Sequence, residues 1–201
     1  MKRSQSLNRT VHRDRLRGFS ILEVLIALLI LSLGVLGALG MQVSALQSNK
    51  EVRHQAIATT FARELAEKMR GNHAVAIQTS AASNPYLASL ILTSTTTISI
   101  PSDLNNCFKV TCADGQKIAV WDMADWTTRL QQALPTPKIV ICFDKTPFTS
   151  SGEAHWNCTD DGDIVVVKMA WTQTKTSGQL EFAGDATKPL VVVPLTAGSS
   201  E

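Results

Sequence analysis

The chain has 201 residues, 44 % of them hydrophobic and 18 % charged, which fits one domain plus an additional element and excludes a disordered chain. Aromatics make up 5 %, too few for a stacking platform for single-stranded nucleic acid. The formal net charge of +2 is unevenly divided: residues 1–18 carry +5 and the remainder −3, which leaves no electrostatic case for broad nucleic-acid binding once the arm is set aside.

Residues 19–41 read FSILEVLIALLILSLGVLGALGM, with Glu23 as the only charge and, beyond it, Ser32 as the only polar side chain. At ~1.5 Å per residue the segment spans ~34 Å, enough to cross a hydrocarbon core of ~30 Å. A removed secretory signal is the competing reading, with Ala38-Leu39-Gly40 or Val43-Ser44-Ala45 as small-x-small sites. The length of the run and the carboxylate inside it oppose that reading. Six bases precede the run (Lys2, Arg3, Arg9, Arg13, Arg15 and Arg17), which holds the arm in the cytoplasm and sends the C-terminal part outward.

A carboxylate near the centre of a spanning helix costs ~2.5–3.5 kcal/mol on insertion scales. Glu23 either snorkels to the headgroups beside the basic arm or meets a cation inside an assembly. A cut before Phe19 would create such a cation. The new α-amine lies one helical turn from Glu23, so it could neutralise Glu23 of a neighbouring, axially shifted copy and set a stagger between subunits. Gly34, Gly37 and Gly40 recur every three residues in the same run. They read either as tolerance and close helix packing or as a point where the helix can stretch.

The segment Arg17-Gly18-Phe19-Ser20-Ile21-Leu22-Glu23-Val24-Leu25-Ile26-Ala27 resembles the class III signal of type IV pilins and type II secretion pseudopilins. That resemblance implies a leader over 1–18, ending at Gly18, that is removed by a prepilin peptidase. It also implies N-methylation of Phe19 and an assembly role for Glu23. Other major and minor pilins and an inner-membrane assembly platform are the implied partners, and no cofactor is implied.

The helix is expected to continue over 42–72. Ile57, Phe61, Leu65 and Met69 recur every four residues with Ala58, Ala62 and Ala66 beside them, Glu64–Lys68 and Glu67–Arg70 are spaced as helical ion pairs, and Gly71-Asn72 supplies a stop. A helix from 19 to 70 would be ~78 Å long, so its second half must pack on a domain or on other helices.

Residues 73–201 read as a periplasmic α+β domain. The stretch 74–106 is rich in Ser, Thr, Asn and Ala and reads as an irregular connection. Ile118, Trp121, Trp126, Leu130 and Leu134 mark a second helix over 117–134, closed by Pro135 and Pro137. Strands are expected at Lys138–Phe143, 164–172 and 190–195, and the alternation Val165, Val167, Met169, Trp171 suits a half-buried strand. The fold class is α+β, with the long helix packing its stripe on a small antiparallel sheet in a pilin-like arrangement.

All four cysteines, Cys107, Cys112, Cys142 and Cys158, follow the apolar run, and an even count in an exported region argues for two disulfides. Of the three connectivities, Cys107–Cys112 with Cys142–Cys158 closes the shortest loops. A zinc site using His155 is the rival, but C-x₄-C and H-x₂-C do not match finger spacings.

Two stretches resemble the type IV pilus modification proteins, the PilV-like minor pilins. One is Phe61-Ala62-Arg63-Glu64-Leu65-Ala66-Glu67-Lys68-Met69-Arg70-Gly71-Asn72. The other runs from Trp126 through Leu134-Pro135 to Val140, Cys142 and the strand of Val167 and Trp171. The implied function is that of a minor pilin, with a minor pseudopilin of a type II secretion system, a tip adhesin or a DNA-binding pilin as alternatives.

An enzyme is not expected. His12, His54, His73 and His155 are scattered, with His54 and His73 read as solvated helix residues, and no G-x-S-x-G, Walker A or H-E-x-x-H occurs. Asp160-Asp161-Gly162-Asp163 lacks the spacing and distal Glu of a calcium loop and reads as a polar turn.

Overall fold

The computed structural model describes residues 18–98, 114–174, 179–182 and 187–195. The basic arm, Cys107 and Cys112 lie outside them. Two compact units are distinguished, one ending at Ser48 and one beginning at Asn49. Helix α1 (Ile21–Gly71) runs through both. Up to Lys50 every described residue of the chain is exposed.

In the second unit, the remaining elements are α2 (His73–Ala76), β1 (Ala88–Ile91), α3 (Gly115–Ala133), β2 (Lys138–Phe143), β3 (Val165–Ala170), β4 (Thr172–Thr174), β5 (Leu180–Phe182) and β6 (Val191–Leu195). Strands β1-β2-β3-β6 form an antiparallel sheet in that order, and β4-β5 form a separate hairpin. This is the expected α+β arrangement of a long helix on a small antiparallel sheet. The expected irregular connection over 74–106 also contains α2 and β1. Its order comes from a buried amide: Asn84 donates to the carbonyls of Ala76 and Gln78 at 3.0 and 2.8 Å and accepts from the Tyr86 N–H. An Asn-centred turn of this kind leaves no hydrophobic period to read.

Local chemistry sets the ends of α3. Asp114 is extended and caps the helix by accepting from the Lys117 N–H at 2.8 Å. At the other end Leu134 is extended, as the residue before a proline is driven to be, and Pro135 prevents continuation. Gly115 is fixed by crowding: a Cβ there would stand 2.6 Å from Asn72 Oδ1 and 2.9 Å from Val75 Cγ2.

One core joins the second half of α1, helix α3 and one face of the sheet. The buried positions of α1 are Ala58, Ala62, Leu65, Ala66 and Met69. Ile57 and Phe61, expected on the stripe, are only half-buried, so the contact face is rotated toward the alanines. Trp126 of α3 bridges to this part of α1. Its ring is fully buried, lies edge-on to Phe61 at 6.0 Å, and donates from Nε1 to the Phe61 carbonyl at 2.9 Å.

The charges on α1 also differ from expectation. Glu67 pairs with Arg70 within the helix, but Glu64 is taken by Arg129 and Lys68 by Asp122 at 2.8 Å, both on α3. Helical spacing makes the pair Glu64–Lys68 possible, but a second helix alongside offers better-placed partners. His54 is only partly solvated: its ring lies edge-on to Trp171 at 6.0 Å, and its Nδ1 is buried. Trp171 in turn donates to Glu51 Oε2 at 3.3 Å.

Strand β3, expected to be half-buried, is buried on both faces. Val165, Val167 and Met169 face the core. Val166 and Lys168 lie on the opposite face, where the 144–163 connection closes over them. At the sheet margin, β6 has β3 as its single strand neighbour among the described residues. Ladder alternation turns Val192 and the exposed Pro194 toward the free edge, where proline removes one donor.

Candidate functional site

The first described residues build a helix start with particular chemistry. Ser20 precedes the first helical residue, and its Oγ accepts from the Leu22 N–H at 3.3 Å while its carbonyl accepts from Glu23 and Val24. Ser20 is thus the N-cap, and Glu23 stands at the third helical position, the spacing of a capping box. Ser-x-x-Glu ahead of an apolar run is the sequence signal by which Ser20 is recognisable as the cap, a signal the assembly motif alone does not use. A carboxylate in the first turn is also favoured by the helix dipole.

Gly18, Phe19 and Glu23 therefore stand together at one helix end. Phe19 is 82 % exposed, and Glu23 is exposed with no side-chain partner among the described residues. Beyond them Ile21, Leu22, Leu25, Leu29, Leu33 and Leu36 each leave more than half of their surface open. Single chains in water rarely present so large a continuous apolar surface, so lipid or other helices must cover it. α1 is the one helix among the described residues long and apolar enough to cross a membrane. It stays continuous through Gly34, Gly37 and Gly40, whose missing Cβ positions face open space in this chain.

In the second unit the disulfide Cys142–Cys158 is present, with Cα atoms 6.3 Å apart. Asp144 lies within 4.8 Å of both sulfurs, but the sulfurs are bonded to each other and the carboxylate is engaged by Lys168, so the trio does not offer metal donors. Burial pushes the Asp144 carboxyl up, yet the hydrogen bonds from Lys168 and the Thr146 N–H outweigh it and hold the group below the usual carboxylate range. Asp161 is lowered by its contacts with Lys145 and Thr159, consistent with a closed turn in which Asp160 and Gly162 adopt φ of 53° and 104°. His155 hydrogen-bonds the Asn157 carbonyl at 3.0 Å, and His73 opens α2. A cleft of about 600 Å³ borders β1 and β2, with Lys138 over the Trp156 ring at 4.1 Å.

A polar cluster ties the end of α1 to its surroundings. Asp122 receives Lys68 at 2.8 Å and the Tyr86 hydroxyl at 2.9 Å, and Asn72 donates to that hydroxyl at 3.3 Å. Burial, opposed by the Asn72 hydrogen bond and reinforced by Asp122, raises the Tyr86 phenol well above its ordinary range.

Residues 13–39 match the prokaryotic N-terminal methylation motif, and residues 40–124 match the family described as type IV pilin Tt1218. No curated protein and no solved structure matches at a significant level. The motif match contains Gly18, Phe19, Glu23 and the apolar run, and the family match begins where it ends. Across residues 13–124 the chain is therefore similar to the type IV pilins, methylation motif first and pilin match directly after.

Proposed function

We propose that the chain is a minor pilin of a type IV pilus, with a structural rather than an enzymatic role, and that it promotes assembly or modification of the fibre in the manner of the PilV-like proteins. A prepilin peptidase removes residues 1–18, Phe19 becomes the methylated N-terminus, and 19–41 holds the subunit in the inner membrane with the α+β unit in the periplasm. The observation that carries this reading is the coincidence of the methylation-motif match with a capped helix end whose carboxylate has no side-chain partner among the described residues.

Incorporation follows from the same chemistry. Lipid gives way to neighbouring helices, and the freed amine of one Phe19 neutralises Glu23 of another copy. Mass spectrometry of the mature protein is expected to find N-methylated Phe19 as the first residue. Glu23→Ala is expected to leave processing intact and to remove the subunit from sheared fibres. An uncut chain, or a Glu23→Ala variant incorporated as well as the wild type, contradicts the mechanism. Deletion that leaves pili intact but stops protein secretion transfers the subunit to a secretion pseudopilus.

A further inference from the structure

The feature left unexplained by filament assembly is Lys168, a cation at the centre of a buried strand with none of its side chain exposed. Its ammonium is held by two groups, both on the connection between β2 and β3. Asp144 Oδ2 accepts at 2.5 Å, and the Asn157 carbonyl accepts at 2.6 Å. The Asp144 side chain is likewise wholly buried. Asp144 directly follows β2 and is fixed by the sheet, its N–H bonded to the Ile164 carbonyl. Asn157 is placed differently. It belongs to the far part of the connection and is the immediate neighbour of Cys158, whose sulfur is bonded to Cys142 on β2. Cys142 is opposite Val166 and Val140 is opposite Lys168 in the β2–β3 register, so the disulfide and the ammonium lie on the same face, two positions apart.

We infer that the Cys142–Cys158 bond is a latch for the Lys168–Asp144 pair: it holds the Asn157 carbonyl on the ammonium and closes the connection over this face of the sheet, so that reduction opens this face while the core against α1 and α3 stays assembled. The physical reason is the cost of a buried ion pair. Its mutual attraction offsets desolvation only when the remaining donors are also satisfied. Without the Asn157 carbonyl the ammonium loses one of its two protein acceptors, and hydration of the pair competes with closure.

The redox step is an ordinary exchange with a dithiol. A reductant thiolate attacks one sulfur, the other cysteine leaves as a thiolate, and the second reductant thiol resolves the mixed disulfide. Two electrons and two protons reach the cysteine pair, and the reductant leaves as a disulfide. Closure runs the same exchange in reverse, so this face shuts only after oxidation. The inference concerns the α+β unit alone and stands whichever filament the chain joins.

The test is amine labelling with a small acylating reagent, read by peptide mass spectrometry, on the full chain in detergent micelles. Wild type is compared with a Cys142→Ser/Cys158→Ser variant. Labelling of Lys168 is expected to rise roughly tenfold or more, as for a local opening, with Lys68 (half-buried and paired with Asp122 on α3) and the exposed Lys50 unchanged. In a Lys168→Met/Asp144→Asn background, removing the cysteine pair should lower the thermal midpoint by about half as much as in wild type or less, because the two features are coupled. If the serine variant does not accumulate, brief dithiothreitol treatment of folded wild type, with the opened pair identified by alkylation, gives the same readouts. Unchanged Lys168 protection overturns the latch, as does a rise at Lys68 that marks global unfolding, or an equal midpoint loss in both backgrounds.

Discussion

Trp126 offers the sharpest test of how α3 is held on α1. Its ring is fully buried, edge-on to Phe61, and its N–H reaches the Phe61 carbonyl. Trp126→Ala deletes the largest side chain of the helix interface, and a buried aromatic removed in this way costs ~3–5 kcal/mol. Trp126→Phe keeps most of the ring contact and removes the N–H. The Phe61 carbonyl retains its own helical hydrogen bond, so no acceptor is stranded, and the loss is ~1–2 kcal/mol from the hydrogen bond and a small void. At ~2–4 °C per kcal/mol for a chain of this size, the alanine variant should unfold roughly 6–20 °C lower and the phenylalanine variant roughly 2–8 °C lower. Scanning calorimetry of the full chain in detergent micelles measures both, with the unfolding of the α+β unit as the transition followed. If Trp126→Ala shifts the midpoint by less than ~2 °C, the helices are not held together by this contact.

Two further outcomes follow from the polar groups. Tyr86 is the one tyrosine of the sequence, so its ultraviolet titration is free of overlap. Its raised phenol should remain protonated above pH ~10, where an exposed tyrosine is half ionised, and Asp122→Asn should let it ionise at lower pH. Because the folded pKa is raised, the contribution to stability is complete below the unfolded value and is lost as pH rises through the folded one. Asp144 has the opposite sign. Its folded pKa is depressed, so its contribution is present above the unfolded value near ~4 and is lost as pH falls through the folded one. Chemical denaturation across that acid range should show the loss in wild type and a flatter profile in Lys168→Met/Asp144→Asn.

Much of this molecule is legible from sequence because its strongest signals are local. The long helix expected over 19–70, the Pro-terminated second helix and the strand Lys138–Phe143 emerge nearly at their observed bounds. The helix-end constellation of Gly18, Phe19 and Glu23 is local as well. What escaped depends on neighbours distant in sequence. Ile57 and Phe61 of the four-residue stripe are only half-buried while Ala58, Ala62 and Ala66 beside it are buried, and the period alone cannot say which side of the stripe meets the core. Lys168 interrupts an apolar run and reads as a solvent-facing residue. It is buried because a connection closed by a disulfide crosses that face. Strand β1 was hidden in a Ser/Thr-rich stretch, since an edge strand with three exposed positions out of four needs little apolar pattern.

The proline on β6 bears on how copies of this chain would pack in the proposed fibre. An outer strand with a full set of outward amides invites a second copy to extend the sheet, and copies held side by side at high local concentration would fuse through it. Pro194 takes one donor from that rim. In the fibre proposed above, contacts made through the N-terminal helices would then come apart more readily on disassembly, since the rims of adjoining copies would have less to grip.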